Sequence, residues 1–494
     1  MPKPPLLPLC VAPLLLASPL LSACSEQASG PVIVSVIGTP QDLNRPLQAL
    51  PAPGAKLMME ATAQGLVAFD AGGEVLPALA QRWIVEDDGR SYIFRLRRAF
   101  WANGARVTAP DVARILHSRI ETLRRLDPHG PLDVVETVVA MTGEVIEIRL
   151  AAARPYILQM LAQPQMGILA RGGGTGPYRA VPHIGLIQLK PVGAPRGDDE
   201  DREAPTPPWD TRVLRAERAA LAIARFRAGY AALVLGGRFN DLPLLTAAGI
   251  DRNAVRVDPV QGLLGLAVTG EGALLQDGPV RQALSMAIDR DQLHAAFPLG
   301  GWATTDQLVP QQLGLPTPPA RPEWTALTMD ERRARARAAV ERWRADHGDP
   351  PAIRIALPPG AGSTLLYGLL AQQMRAIGLT AQRVDMTARQ IDLQLIDEVA
   401  AYDSALWYLG RVGCARKLLC SKEAEARMQA ANLASTPEDR AARIGEAIDL
   451  VEAHGGYIPL GAPVRWSLVS RRLAGFTPSP RARHPLNHLF GSTN

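Results

Sequence analysis

The segment that decides the fold covers residues 65–119, which read GLVAFDAGGEVLPALAQRWIVEDDGRSYIFRLRRAFWANGARVTAPDVARILHSR. It begins with a strand-like run at Gly65–Phe69. The residues Asp87–Gly89 predict a turn, because Gly tolerates positive φ and Asp can bond to its own backbone. Beyond the turn, Ser91–Arg97 alternates polar and apolar residues, which predicts a half-buried strand.

A helix is predicted where this segment ends. Thr108 can cap the helix, Asp111 follows three residues later, and Pro110 falls early, where a missing N–H costs nothing. The apolar residues of Val112–Ile120 then have helical spacing. The local chemistry therefore predicts strands and turns followed by a capped helix.

Five pieces of this segment, in their order and spacing, resemble the signature of the family 5 solute-binding proteins. Those proteins are the extracytoplasmic receptors of oligopeptide, dipeptide and nickel ABC importers. The pieces are Leu79–Trp83, Asp88–Gly89, Tyr92–Arg97, Asn103–Gly104 and Thr108–Val112. Other pieces that resemble the family are Gly173–Tyr178, Asp277–Arg290, Gln372–Leu379 and Tyr457–Leu460.

The resemblance implies an α/β, type II periplasmic-binding-protein fold, with two lobes joined by a hinge and the extra subdomain of the peptide-binding group. Domain I is expected to be discontinuous, and one further stretch is expected to form an inserted subdomain. The expected ranges are 1–23 for a lipoprotein signal peptide, 31–55 with 172–258 and 455–494 for domain I, 56–171 for the inserted subdomain, and 259–454 for the second lobe.

Composition supports a globular, multidomain chain. Its 494 residues exceed what one core comfortably fills. Apolar content of 47% and charged content of 20% argue against disorder. A net charge of +5 is small for this length, and no nucleic-acid partner is expected.

Residues 1–24 are interpreted as a targeting segment. Lys3 supplies a positive start, and the apolar run Leu6–Leu20 is too short and too rich in proline to span a bilayer. Leu21–Cys24 resembles a lipobox, which implies lipidation at Cys24 and a lipid-anchored protein in the periplasm or another extracytoplasmic space. The alternative is an ordinary signal peptide cleaved after Ala23.

Two cysteines remain beyond that segment, Cys414 and Cys420. An exported location permits a disulfide bond between them, and two buried free thiols are the alternative. Their spacing of six, with no histidine nearby, is poor for zinc. We expect no metal, no cofactor and no catalytic residue.

Ligand contacts are expected at the segment Tyr402–Tyr408, which resembles the family strand that delivers an aromatic side chain into the cleft. We therefore predict that a strand over 404–409 presents Trp407 and Tyr408. Peptide-binding members carry an Asp three residues after that Trp, where this chain has Gly410 followed by Arg411. Arg411 could pair with a carboxylate or phosphate, so an anionic or hydrogen-bond-accepting ligand group is predicted.

Two more ligand contacts are expected near the first predicted strand. Thr39 and Gln41 lie in the segment 38–44, which resembles the family segment leading from that strand toward the cleft. The match is loose, because Leu43–Pro46 stands where the family usually has Leu-Asp-Pro.

The expected function is capture of a peptide-like or other small solute for an ABC permease of the inner membrane, by a monomer. One alternative is a family member repurposed as a sensor or structural lipoprotein, since Ala232 and Gly410 stand where acidic residues are expected. Another is a lipid-anchored hydrolase, although no Gly-x-Ser-x-Gly or His-Glu-x-x-His motif occurs.

Overall fold

The computed structural model describes residues 30–44, 52–126, 130–170, 173–192, 210–313, 315–316, 318–434 and 436–491. The predicted lipidation site Cys24 and the signal peptide lie outside these residues.

Helices and strands are interspersed along the described residues. The helices are α1 Pro40–Asn44, α2 Pro53–Thr62, α3 Ala109–Leu126, α4 Ile157–Leu161, α5 Ala219–Arg227, α6 Leu242–Ala247, α7 Gly278–Ala287, α8 Arg290–Ala296, α9 Met329–His347, α10 Ala361–Arg375, α11 Ala405–Arg411, α12 Lys422–Leu433 and α13 Pro437–His454. The strands are β1 Val32–Ile37, β2 Val67–Phe69, β3 Val75–Pro77, β4 Ala80–Glu86, β5 Ser91–Leu96, β6 Val135–Ala140, β7 Val145–Leu150, β8 Leu169–Ala170, β9 Gly173–Gly174, β10 Tyr178–His183, β11 Leu186–Pro191, β12 Arg212–Glu217, β13 Leu233–Arg238, β14 Val255–Val257, β15 Gly262–Val268, β16 Ile353–Ala356, β17 Ala381–Val384, β18 Leu393–Val399, β19 Tyr457–Gly461, β20 Arg465–Val469, β21 Leu473–Ala474 and β22 Phe490–Gly491.

The first lobe is built on a mixed sheet. Its strand order over the described residues is β10-β11-β12-β1-β13-β20-β14. The apolar strand β1 lies inside this sheet and pairs in parallel with β12 and β13. Its residues Val34 and Val36 are buried with Leu214 and Leu233 in one core. Near-continuous apolar residues are expected in a strand that is covered on both faces.

The second lobe has its own sheet, in the order β17-β16-β18-β15-β19 over the described residues. Strands β16 and β17 are parallel and are connected by α10, as expected of a β-α-β unit. Strand β18 runs antiparallel to β15, so that Val399 pairs with Gly262. The end of β18 therefore lies beside the point where the chain enters this lobe.

The segment 65–119 contributes strands β4 and β5 and most of helix α3 to the inserted subdomain. Strands β4, β5, β7 and β6 form an antiparallel sheet in that order. Helix α3 buries Val112, Leu116 and Ile120 in the core shared with this sheet. Thr108 donates a hydrogen bond to Asp111 Oδ2 over 2.7 Å and accepts one from the Asp111 N–H over 3.4 Å, which gives the predicted cap.

Two domain boundaries differ from the expected ones. Helix α2 packs its residues Leu57, Met58 and Ala61 into the core of the first lobe, so the inserted subdomain begins after α2 rather than at residue 56. Strand β19 pairs with β15, so the second lobe continues to Gly461 rather than ending at residue 454. Core packing decides the domain membership of α2 and strand pairing decides that of β19, and sequence position shows neither.

The chain crosses between the lobes in two short segments, from β14 to β15 and from β19 to β20. Asp258, in the first crossing, donates its N–H to the Arg465 carbonyl over 3.0 Å. Its carboxylate accepts from the Ser479 N–H and contacts His484 Nε2. The two crossings are thus tied to each other and to the C-terminal segment.

The predicted strand over 404–409 is wrong. Residues Ala405–Arg411 form helix α11, and Ser404 caps it by accepting a hydrogen bond from the Leu406 N–H over 3.3 Å. Short apolar runs fit a buried helix as well as a strand, and the capping serine favours the helix. The strand that ends beside the lobe crossing is β18, about ten residues earlier in the chain.

Candidate functional site

The two lobes face each other where β13, β18 and β20 end or begin. Asp397 of β18 lies beside two arginines of the first lobe, Arg465 and Arg238. Its carboxylate is 2.7 Å from Arg465 Nη1 and 4.0 Å from Arg238 Nη1. The arginines are cross-strand partners of β13 and β20, and like charges placed opposite each other repel. The carboxylate of Asp397, in the second lobe, therefore offsets the repulsion between two arginines of the first lobe.

Close backbone contact joins the lobes at a second place. Asn240 donates from Nδ2 to the Pro359 carbonyl over 2.7 Å and accepts at Oδ1 from the Ser363 N–H over 2.9 Å. A Cβ added at Gly362 would lie 2.4 Å from the Phe239 carbonyl oxygen and 2.6 Å from Asn240 Cα. This approach of the lobes requires glycine at the start of α10.

Lys56 lies in the first turn of α2 and is solvent-accessible. The side chain keeps an exposed surface, but the protein around it removes part of the hydration of the ammonium group. This desolvation, and then repulsion by Arg238 and Arg465, lowers the pKa of the ammonium group to about 8, although Glu60 opposes the change. Glu60, one helical turn later, forms an ion pair with Arg483 at 2.5 Å. Glu60, the carboxylate one helical turn from Lys56, is therefore paired with Arg483 and not with Lys56.

Helix α11 carries the predicted aromatic contacts. Trp407 and Tyr408 are buried, with ring centroids 4.9 Å apart in an edge-to-face arrangement. Within the described ranges, Trp407 Nε1 and Tyr408 Oη have no hydrogen-bond partner. Arg411 stacks over Trp407 at 5.3 Å, and its Nε lies 3.2 Å from Glu398 Oε2. The guanidinium that was expected to meet an anion is thus already paired within the second lobe.

The loop before α11 meets both the inserted subdomain and the C-terminal segment. Asp403 accepts from Gln159 Nε2 over 3.0 Å and donates its N–H to Gln159 Oε1 over 2.8 Å. The same carboxylate pairs with Arg481. Tyr156 and Tyr402 stack here, with centroids 4.3 Å apart. All three structural units therefore meet at this loop.

A cavity of about 590 Å³ lies next to α2, between the first lobe and the inserted subdomain. This volume is in the range of small-molecule sites. Its walls combine apolar and charged side chains, among them Met59, Glu60, Phe69, Arg97, Phe476 and Arg483. Glu60 and Arg483 line this cavity and also interact electrostatically with Lys56, so the cavity adjoins the charged residues around that lysine.

The remaining residues singled out in the sequence are Thr39 and Gln41 near α1 and the two cysteines after α11. Thr39 and Gln41 are exposed at α1, where the Thr39 N–H donates to Asp42 Oδ2 over 2.8 Å. Cys414 and Cys420 form a disulfide bond in the turn after α11, with the sulfur atoms 2.07 Å apart.

The described residues contain neither a cluster of metal ligands nor a helix able to span a bilayer. Across these ranges, no three or more His, Cys, Asp and Glu side chains gather into a group that could hold a metal ion. Within the same part of the chain, no helix combines the length and the apolar character needed to cross a bilayer.

Sequence reasoning did not single out Lys56, Arg238, Asp397 or Arg465. One signal in the sequence points to Asp397. The segment Leu393–Val399 is strand-like and carries the acidic pair 397–398 close to its end, which predicts charged residues at the edge of a sheet. Arg238 and Arg465 come together only through the pairing of β13 with β20, and Lys56 joins them only through the packing of α2 against this sheet.

Comparison with known proteins gives matches in sequence and in structure. The model of the bacterial extracellular solute-binding proteins, family 5 Middle, matches residues 74–202. The probable deoxycholate-binding periplasmic protein YgiS of Escherichia coli is 30% identical over 127 residues, covering 21% of this chain and 23% of that protein. A putative binding protein of Haemophilus influenzae is 38% identical over 115 residues, covering 20% and 22%. The aligned segments span less than a quarter of either relative's length.

The structural likeness covers most of the chain. Haemophilus influenzae OppA, in complex with the peptide RPPGFSPFR, superposes with a TM-score of 0.74 at 17% identity, covering 94% of this chain and 99% of that one. The murein tripeptide binding protein MppA of Escherichia coli gives 0.77 at 16% identity, with coverages of 94% and 99%. At such identities the likeness shows the fold, and the predicted fold class is confirmed. The middle segment, residues 74–202, therefore resembles family 5 of the bacterial extracellular solute-binding proteins, and the chain as a whole shares the fold of the periplasmic binding proteins OppA and MppA.

Proposed function

We propose that this protein captures a peptide-like or other small solute between its two lobes and presents it to an ABC permease outside the cytoplasm. The observation that carries the proposal is the pair of lobes, joined by two short crossings, whose facing surfaces bring charged groups of both lobes together. Such a protein needs no nucleophile, because binding and hinge closure are its whole task.

The cavity beside α2 and the buried aromatic residues of α11 support a solute with both apolar and charged parts. The cavity beside α2 offers apolar walls with a few charged groups. Trp407 and Tyr408 are large apolar side chains with unmet donors, and buried donors generally find a partner. Trp407, Tyr408, Arg411, Thr39 and Gln41 remain our proposed ligand contacts.

Solute capture predicts that protein purified from its native host carries a small molecule. Native mass spectrometry should show a noncovalent mass that denaturation removes. Protein stripped of that mass should regain thermal stability when it is supplied with tri- to pentapeptides, with their N-acetylated forms, or with deoxycholate, the compound named for a relative. We expect unblocked peptides to stabilise least.

A solute-free protein that none of these compounds stabilises would contradict the proposal. The Arg411→Ala variant serves as a test of the proposed contact in the same assay. Tight peptide binding that survives this substitution, and that N-acetylation abolishes, would show that an amine rather than an anion is recognised.

We further propose that Cys24 carries a lipid that holds the protein on a membrane. The Cys24→Ser variant should then lose detergent partitioning or accumulate as unprocessed precursor, because the modified side chain is gone. Intact-mass measurement of the membrane fraction checks this. A mature protein that begins at Cys24 with a free thiol would exclude the anchor.

A further inference from the structure

The charges on the first-lobe side of the cleft do not balance. We call Lys56, Arg238 and Arg465 the cationic wall. One carboxylate, that of Asp397, serves both arginines, at 2.7 Å from Arg465 and 4.0 Å from Arg238. Within the described ranges, no side chain forms a hydrogen bond or ion pair with the Lys56 ammonium group.

The carboxylates near Lys56 and Arg238 have other partners. Glu60 pairs with Arg483, which also donates to the Ala162 carbonyl over 2.8 Å. Asp241 accepts a hydrogen bond from the Arg238 N–H over 3.3 Å, and burial raises the pKa of its carboxyl group. The position of Lys56 adds to the imbalance, because a cation in the first turn of a helix is repelled by the helix dipole.

A bound anion would reduce the electrostatic repulsion between Lys56 and the two arginines. Arg238 offers a planar fork that suits a carboxylate or phosphate, while Lys56 offers a compact charge on a flexible stem. The adjoining cavity of about 590 Å³ has room for the rest of a small molecule. We infer that the cationic wall binds the anionic group of the solute, a carboxylate or a phosphate ester, with Lys56 as its direct contact.

This inference rests on the proposed function and names the class of solute. It also gives a pH dependence, because the anion binds the protonated lysine. The pKa of Lys56 without an anion is about 8. Its charged surroundings are Arg238 on β13, Arg465 on β20, Arg483 and Glu60, with Asp397 opposite. Anion affinity should therefore be nearly constant well below pH 8 and fall by up to tenfold per pH unit well above it.

The chain allows a direct measurement, since its lysines number only five: Lys3, Lys56, Lys190, Lys417 and Lys422. Reductive methylation with ¹³C-formaldehyde gives each lysine a methyl signal in the NMR spectrum of the full protein. Lys56→Gln assigns the Lys56 signal. Lys190 is exposed on β11 and serves as the internal control. The probes are sodium sulfate and sodium acetate, compared with sodium chloride at equal ionic strength.

Sulfate or acetate should move the Lys56 signal saturably and raise its midpoint of titration, while Lys190 responds as it does to chloride. The larger response identifies the tetrahedral or the planar anion as the preferred group. In thermal unfolding, the anion-specific stabilisation should be lost in Lys56→Gln and kept in Lys190→Gln.

The anion site is refuted if Lys56 titrates like Lys190 and responds to all three salts alike. That result leaves the proposed function standing, because co-purified solute is measured separately. Conversely, a saturable anion response in a protein that captures no solute would refute the role in solute binding.

Discussion

Replacing Gly362 by alanine is expected to hold the two lobes apart. The new Cβ would lie 2.4 Å from the Phe239 carbonyl oxygen and 2.6 Å from Asn240 Cα, and both are backbone atoms that cannot turn away. The lobes would have to separate, which would break the two hydrogen bonds of Asn240. At about 1 kcal/mol each, their loss amounts to roughly a thirtyfold loss of solute affinity.

Small-angle scattering should show a larger radius of gyration for Gly362→Ala in the presence of solute, and calorimetry should show the weaker affinity. The matched control is Gly368→Ala on the same helix, where the added Cβ meets nothing within 4 Å. Alanine favours both helical positions intrinsically, so neither variant should unfold. Equal scattering and equal affinity for the two variants would show that closure does not need the contact at Gly362.

The second large effect is expected from Asp397→Asn. This substitution removes the carboxylate that Arg238 and Arg465 share, and Asp397 and Arg465 are almost fully buried, with side chains 10% and 11% exposed. Breaking a buried ion pair leaves an uncompensated charge, which costs on the order of 3 kcal/mol. Thermal or denaturant unfolding measures this loss.

The control for Asp397→Asn is Glu446→Gln, which breaks the exposed pair with Arg427, where both side chains are about half exposed. Exposed pairs contribute about 1 kcal/mol or less, so this variant should be nearly as stable as the parent. If the cationic wall binds anions, sulfate should restore more stability to Asp397→Asn than to Glu446→Gln. A loss no greater than that of the control would mean that the interlobe charges are compensated by solvent.

The sequence by itself was enough to predict the fold class. The signature over 65–119 is local, because its turns, strand alternation and capped helix each depend on neighbouring residues. Helix α3, with its cap at Thr108, shows this well. Patterns of this kind remain readable without any knowledge of distant contacts.

Segment 404–409 shows where local patterns stop being decisive. A short apolar run is compatible with a strand or a helix, and the packing of Trp407 and Tyr408 in the core accompanies the helix. The assignment of β19 to the second lobe and of α2 to the first also depends on which surface each element meets.

Only the tertiary structure brings the residues of the charged site together. Lys56, Arg238, Asp397 and Arg465 are separated by up to several hundred residues, and each is an ordinary surface residue in sequence terms. Electrostatic interaction depends on distance in space and on burial, and neither is encoded in local spacing. The sequence therefore determined that two lobes form, whereas the fold determined which charges meet between them.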